Sequence, residues 1–371
     1  MFFSIVLFCS LFFSFIVKGN LENLLIVLFS CSFYKVFIID KNYKSLIYGF
    51  FISYFIVNFF IVFGIRDYIL IREDEPTITK SQTLVLIVSE GENRTYNIRE
   101  RATQIYQEKG YKSFFSSIFE LNKYKNYYID TGNSTFKKKT EEISKKLNNN
   151  LGSEYMVVNS YLFSAPYLEQ MIEIVISRGY NKIIICPLFM TDGKDYDVFI
   201  NRFKNVELAS RNINEVSITT PFYDNDEIVE LYKKDILRNI EKLNEDSGVL
   251  LVGLQNKNNI EQDILLRQKI QKSINDEKND LDIKIKLPLL ENNELDIVKS
   301  AEELLEYGIH SLYFVTPTTL LDTKYTENLV NKIYKQLDLG YTDFFYVDPE
   351  EEVDYIVDAI INKIDNEDFK K

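Results

Sequence analysis

Residues Leu46 to Ile65 read LIYGFFISYFIVNFFIVFGI, an unbroken stretch without a charged side chain. At about 1.5 Å of rise per residue, a helix of this length matches the roughly 30 Å hydrocarbon core of a bilayer. No polar stripe recurs at helical spacing, which is what a helix of a soluble core would offer to water. Two further apolar runs precede it, Met1 to Val17 and Leu24 to Ile39, the second carrying Lys35 near its end. The sequence therefore predicts a membrane anchor over residues 1–70 with two or three transmembrane helices. A cleavable signal peptide opens on a basic segment, and MFFSIVLFCS has none, so the first run is expected to be retained. Lys35, Lys41 and Lys44 surround the second connection, while Lys18, Arg66 and Arg72 lie on the opposite side. The expected topology is a multi-pass membrane protein with its soluble part in the cytoplasm.

The rest of the composition narrows the chemistry. The formal net charge is −12 with no lysine- or arginine-rich run, so the counterion-releasing footprint of a nucleic-acid binder is missing and no nucleic-acid partner is expected. Cys9 and Cys31 lie in the apolar N-terminal runs and Cys186 in another apolar run, a spacing that writes neither a disulfide framework nor a CxxC metal site. His310 is the chain's only histidine, which removes most zinc sites and every histidine-based catalytic triad.

Beyond Pro76 short β-branched runs alternate with amphipathic stretches, the pattern of βαβ units and a parallel sheet. Strands are predicted at Leu84 to Ser89, Tyr155 to Ser160, Lys182 to Pro187 and Val216 to Thr220. A second set follows at Val249 to Gly253, Ile283 to Leu287, Ser311 to Val315 and Asp343 to Val347. The two sets repeat one layout. APYLEQMIEIVISRGYNKIIICPLFMTDGKDY, from Ala165, matches ENNELDIVKSAEELLEYGIHSLYFVTPTTLLDTKY, from Glu291: amphipathic helix, glycine, strand, polar loop, with Gly179 answering to Gly308. ITTPFYDNDEIVELYKKDILRNI, from Ile218, likewise answers to FFYVDPEEEVDYIVDAIINKI, from Phe344. An offset of about 130 positions is too long for a solenoid. The expected fold is α/β, with two similar Rossmann-like (flavodoxin-like) halves, 80–245 and 246–371, each a four-stranded parallel sheet flanked by helices. In such sheets ligands bind outside the carboxyl ends of the strands, so function is expected in the loops that follow them.

Those loops, in their order, resemble the ferrochelatase family of the class II chelatases across nearly all of Thr83 to Ile364. The resemblance is carried by LVLIVSEGENRTYNIRERATQIY, YYIDTGNSTFKKKTEEISKKL, VVNSYLFSAPYLEQMI, IIICPLFMTDGKDYDVFINRF and ITTPFYDNDEIVELY. In the second half it rests on GVLLVGLQ, GIHSLYFVTPTTLLDTKY and FFYVDPEEEVDYIVDAI. It implies a porphyrin-type macrocycle distorted in the cleft between the halves, a divalent metal delivered from one face, and a base that takes the pyrrole protons. Imidazole serves such chemistry as a releasable ligand and as a base near neutral pH. Here the positions the family gives to its metal-site residues fall on Gln255, Thr323 and Tyr325, with Asp322 kept beside them, and a further family histidine falls on Phe163. A glutamine amide is a poor ligand for such metals and no base. No metal site is expected, and His310, at the start of a strand and away from the cleft, does not replace one.

The candidate ligand-binding residues follow strand ends: Ser89 and Glu90 with Gly91 and Glu92, Tyr161 and Phe163, Phe189, Asp192 and Lys194, Tyr223, Gln255 and Asp322. Tyr161, Phe163, Phe189, Phe222 and Tyr223 offer rings to stack on a flat macrocycle, or else seal the loops over the core. Glu90, Glu92, Asp192 and Asp322 offer carboxylates that would meet across the cleft and suit a hard cation. Three functions stay open. One is a membrane-anchored protein that binds a tetrapyrrole, with porphyrin or haem as ligand, without histidine-based metal insertion. The second is an active chelatase of haem biosynthesis, and the third a scaffold whose partner is another membrane protein.

Overall fold

A computed structural model of the chain describes residues 1–40, 43–66, 82–206, 215–243, 245–254, 260–277, 282–290, 294–348 and 353–368. The chain divides into two compact units, one of Met1–Ile69, Asn93–Ser134 and Phe163–Ala165, the other of Leu70–Glu92, Thr135–Leu162 and Pro166–Lys371.

The first unit is helical. It comprises α1 (Phe2–Ile16), α2 (Asn20–Phe33), α3 (Tyr43–Phe60), α4 (Ile98–Lys109) and α5 (Ser117–Thr131). Wider π-type turns extend α2 and α3, giving two helices long and apolar enough to cross a membrane, Asn20–Ile39 and Tyr43–Ile65; α1 is shorter. Ser45, Gly49 and Ser53 stand one turn apart on α3 and meet α1 closely. A β-carbon at Gly49 would come within 2.6 Å of the Ser4 side chain. The Ser4 and Ser45 hydroxyls hydrogen-bond at 2.9 Å, and Ser53 donates to the Ile5 carbonyl at 2.9 Å. Small residues that let two backbones approach are the usual contact between helices in lipid, where no hydrophobic force drives association. The C-terminal ends of α1 and α3 then pack on α5, with Phe12, Ile16, Val57 and Ile61 against Ile118 and Leu121.

The second unit runs β1 (Thr83–Ser89), α6 (Phe136–Leu151), β2 (Tyr155–Tyr161), α7 (Leu168–Ser177), β3 (Lys182–Pro187), α8 (Lys194–Lys204), β4 (Glu215–Ile218) and α9 (Asp226–Leu243). It continues through β5 (Ser247–Leu251), β6 (Gly253–Leu254), α10 (Ile260–Glu277), β7 (Ile283–Lys286), β8 (Leu289–Leu290), α11 (Leu295–Glu306), β9 (Ser311–Val315), α12 (Lys324–Tyr334), β10 (Asp343–Val347) and α13 (Val353–Asp368). All eight predicted strands form. The first sheet has the parallel order β2-β1-β3-β4 and the second β10-β9-β5-β7, so each half places its strands in the same second-first-third-fourth order. The repeat read from sequence is a repeat of topology. Gly179 after α7 and Gly308 after α11 both take positive φ, 88° and 77°, and both N–H groups return to the helix, to Ile176 and Leu305. A residue with a β-carbon is strained in that conformation, which is why glycine stands at the same place twice.

Leu84 to Val88 and Val249 to Leu251 are buried on both faces, as parallel strands covered by helices must be. One core joins the sheets: Val85, Ile87 and Ile184 of the first and Val249, Leu251 and Tyr313 of the second share it with side chains of α9, α10 and α13. The last helix, though it follows β10 in sequence, packs on α6, α9 and β3.

Candidate functional site

In both sheets the strand order reverses beside the first strand of the half, the place where an open parallel sheet leaves a crevice. At the β1/β3 reversal lies a cavity of about 70 Å³, lined by Ser89 and Glu90 after β1, Leu188 to Thr191 after β3, and Thr318 to Leu321 after β9. Tyr196 and Phe189, edge to face at 6.4 Å, close one side. The Ser89 hydroxyl is buried and makes no hydrogen bond with the described protein atoms. Burial and the Asp192 carboxylate push the Tyr196 phenol above its ordinary value, so its hydroxyl stays protonated.

Around this cavity the loops of the two halves are tied together. The Glu92 carboxylate, buried, accepts from the backbone N–H of Lys324 at 2.9 Å, at the N-terminus of α12 where negative charge is favoured. The side-chain amide of Gln262 on α10 meets Asp192 twice, accepting from its backbone N–H at 2.8 Å and donating to its carboxylate at 2.9 Å. Asp322 takes the Tyr346 hydroxyl on both oxygens at 2.6 Å. Burial, and then the Asp322 charge, raise the Tyr346 phenol well above its usual range, so it remains a donor. Behind them Arg267, fully buried, holds Asp263 through two nitrogens at 2.5 and 2.9 Å. Its other terminal nitrogen donates to the carbonyls of Leu251, Leu287 and Pro288, so the carboxyl ends of β5 and β7 are filled by protein cation.

Ser89, Glu90 and Phe189 are the predicted residues that the structure brings to one cavity. Asp192 and Asp322 lie beside it in the pairs just described. Tyr161 is a core residue, its hydroxyl 2.9 Å from Thr140 and raised in pKa by burial. Phe163 and Phe222 are buried and do not line this cavity. Lys194 is exposed at the first turn of α8, and Tyr223 lines a different groove, beside Asp224 and Lys363. Gln255 lies outside the described residues. Thr323 is the N-cap of α12, accepting from the Thr326 N–H, and Tyr325 follows on the first turn, partly exposed. His310 is exposed just before β9, its backbone bonded to Asp246 and Asp343.

Among the described residues no three histidine, cysteine, aspartate or glutamate side chains converge to hold a metal ion, so Glu90, Glu92, Asp192 and Asp322 do not meet as one cation site. The residues present do not fit a metal delivered in the family's manner: a helix-capping hydroxyl and a half-exposed phenol stand where ligand and base are needed. Sequence reasoning missed Gln262, Arg267, Tyr346 and the pair Thr318 and Thr319. The Thr-Pro-Thr-Thr run after β9 was a legible signal, a hydroxyl-rich loop at a strand end, whereas Gln262 and Arg267 read as ordinary helix surface.

No family model matches the chain. A ferrochelatase of Aquifex aeolicus (strain VF5) is 22% identical over 257 residues, covering 65% of this chain and 82% of that protein. Among solved structures, the sirohydrochlorin chelatase SirB of Bacillus subtilis subspecies spizizenii, in complex with cobalt, aligns with a TM-score of 0.46 at 12% identity, over 76% of this chain and 93% of that one. SirB from Bacillus subtilis with ferric iron aligns with a TM-score of 0.49 at 14% identity, over 76% and 94%. The chain is thus similar in sequence to a ferrochelatase, and its doubled parallel-sheet fold is chelatase-like.

Proposed function

We propose that this protein is a membrane-anchored, chelatase-like binder of a tetrapyrrole or similar flat ligand, taken into the crevice between the halves without metal insertion. One observation carries the reading. The loops of both halves meet in a cavity at the strand-order reversal, while the Thr323 cap stands where the resemblance places a histidine and Tyr325 where it places a glutamate. The site keeps its place and lacks its metal chemistry. Pockets for ligands of this size run to roughly 300–1,000 Å³, so the 70 Å³ cavity has to open, and the Glu92–Lys324 and Asp192–Gln262 contacts are what must part. Asn20–Ile39 and Tyr43–Ile65 support a multi-pass anchor, and Arg66 at the end of the second supports a cytoplasmic soluble part, which protease protection in sealed vesicles tests.

The test is an absorbance titration of the full chain in detergent with protoporphyrin, coproporphyrin and haem, followed by iron, cobalt, nickel or zinc. A saturable shift of the Soret band without spectral conversion on adding metal is expected. Metal-dependent conversion would establish an active chelatase instead. No shift with any ligand refutes the binding reading and leaves a scaffold for a membrane protein, which the closed cavity favours as the second reading.

A further inference from the structure

The helical unit carries an apolar surface that its own helices leave uncovered. Between α4 and α5 the chain makes a turn of 3₁₀ helix, Gly110–Phe115, and at this tip Tyr111, Phe115 and Phe119 are 74%, 64% and 61% exposed. The tip is not separate from the apolar helix Tyr43–Ile65. Phe114 stacks on Phe55 at 5.9 Å, Phe119 meets Tyr54 at 6.4 Å, and the Tyr54 hydroxyl donates to the Phe115 carbonyl. Phe51, Phe55 and Phe59 of that helix are themselves exposed, so one aromatic surface runs from the helix onto the tip. Where the helix ends, the Arg66 guanidinium lies 3.7 Å over the Tyr106 ring, whose edge meets Tyr111. Lys109 and Lys112 flank the tip in sequence.

Aromatic rings beside an apolar helix, with arginine and lysine at their margin, are the composition of a bilayer boundary. There rings sit among headgroups and upper acyl chains while long basic side chains reach toward lipid phosphates. A protein partner would need a matching polar rim and an apolar mate; lipid needs only continuity with a span, and that continuity is present. We propose that the α4–α5 tip, Tyr111 to Phe119, is a lipid-embedded element that enters the bilayer beside Tyr43–Ile65. This rests on the anchor reading above and adds to it a second membrane contact, distant in sequence from the first.

The chain contains no tryptophan, so a single introduced tryptophan reports its own surroundings without background. Phe115→Trp and Phe119→Trp replace exposed rings, and the full chain carrying either is reconstituted into phosphatidylcholine vesicles with or without brominated acyl chains. Phe59→Trp marks the span and Tyr341→Trp, on a fully exposed turn of the other unit, marks water. The expected result is loss of emission in brominated vesicles for the tip positions and for residue 59, with a blue-shifted maximum, and none for residue 341. Quenching at residue 59 with none at 115 and 119 overturns the proposal while leaving the anchor intact. Absence of quenching at all three refutes the anchor and the proposal together.

Discussion

Cys186 lies within β3, wholly buried, opposite Ile87 of β1. Burial pushes its thiol up to about 11, against the opposing pull of the Thr219 hydroxyl and the Lys363 ammonium. A folded-state pKa raised above the unfolded value of 9.0 means stability that is complete below pH 9 and lost as pH rises through 11. Two pKa units correspond to about 3 kcal/mol. Denaturant unfolding of wild type and Cys186→Ala at pH 8 and near pH 11 checks it: the variant should lose less stability across the interval. Gly253 makes a steric argument of the same local kind, since a β-carbon there would stand 2.4 Å from the Asp263 carboxylate and 2.6 Å from Arg267. Gly253→Ala should destabilise by about 1–3 kcal/mol through overpacking. Arg267→Met should cost about 3–5 kcal/mol, because it strands a buried carboxylate. Asp263 already has its pKa raised by burial in spite of Arg267, so in that variant it should fold protonated. Thermal or urea unfolding separates the two. None of this was legible in the sequence, where Asp263 and Arg267 are a helical i,i+4 pair like many on surfaces; only the placement of α10 over the strand ends buries them.

At the level of elements the sequence was most informative. The predicted strands β1 to β5, β7, β9 and β10 start within two residues of expectation because each is a short run carrying β-branched, aromatic or leucine side chains between polar or turn residues. The short pairing of β6 with β8 was not foreseen, since two-residue strands carry no period. Their pairing extends β5 and β7 past the point where Arg267 caps their carbonyls. The N-terminus of α12 shows how an element can replace a function. Thr323 caps it from inside and Glu92 from across the cleft, so two of its free N–H groups are satisfied by side chains. Thr323→Ala should cost about 1 kcal/mol, the typical value of a lost N-cap. Thr323→His, which restores the residue type the family resemblance assigns there, removes the same cap. It should therefore lower stability by a similar amount without creating metal binding, because among the described residues no three histidine, cysteine, aspartate or glutamate side chains converge to complete a site. Unfolding measured with and without added zinc or cobalt reads this out; a metal-dependent gain in stability would contradict it.

For the whole molecule, the doubled sheet and its shared core hold the two halves as one unit, and the contacts between their loops set how open the crevice is. If a macrocycle binds only an open form, the apparent dissociation constant is the intrinsic one divided by the open fraction, so anything that raises that fraction tightens binding. Glu92 to the Lys324 N–H and Gln262 to Asp192 are the contacts whose loss should do this. Each neutral hydrogen bond is worth about 0.5–1.5 kcal/mol net, and one to a charged group about 1.5–3. Removing these three bonds with Glu92→Ala and Gln262→Ala should therefore favour the open form by about 3.5–7.5 kcal/mol, which is roughly 300- to 300,000-fold in its population when that population is small. Porphyrin affinity in the Soret titration should rise by up to that factor, and the single variants should each account for part of it. Neither side chain lines the cavity, so the gain would come from opening and not from new contact with ligand. An unchanged or weaker affinity in the double variant, with its fold intact by circular dichroism, would mean that these contacts do not gate the crevice and that the ligand, if bound, enters elsewhere.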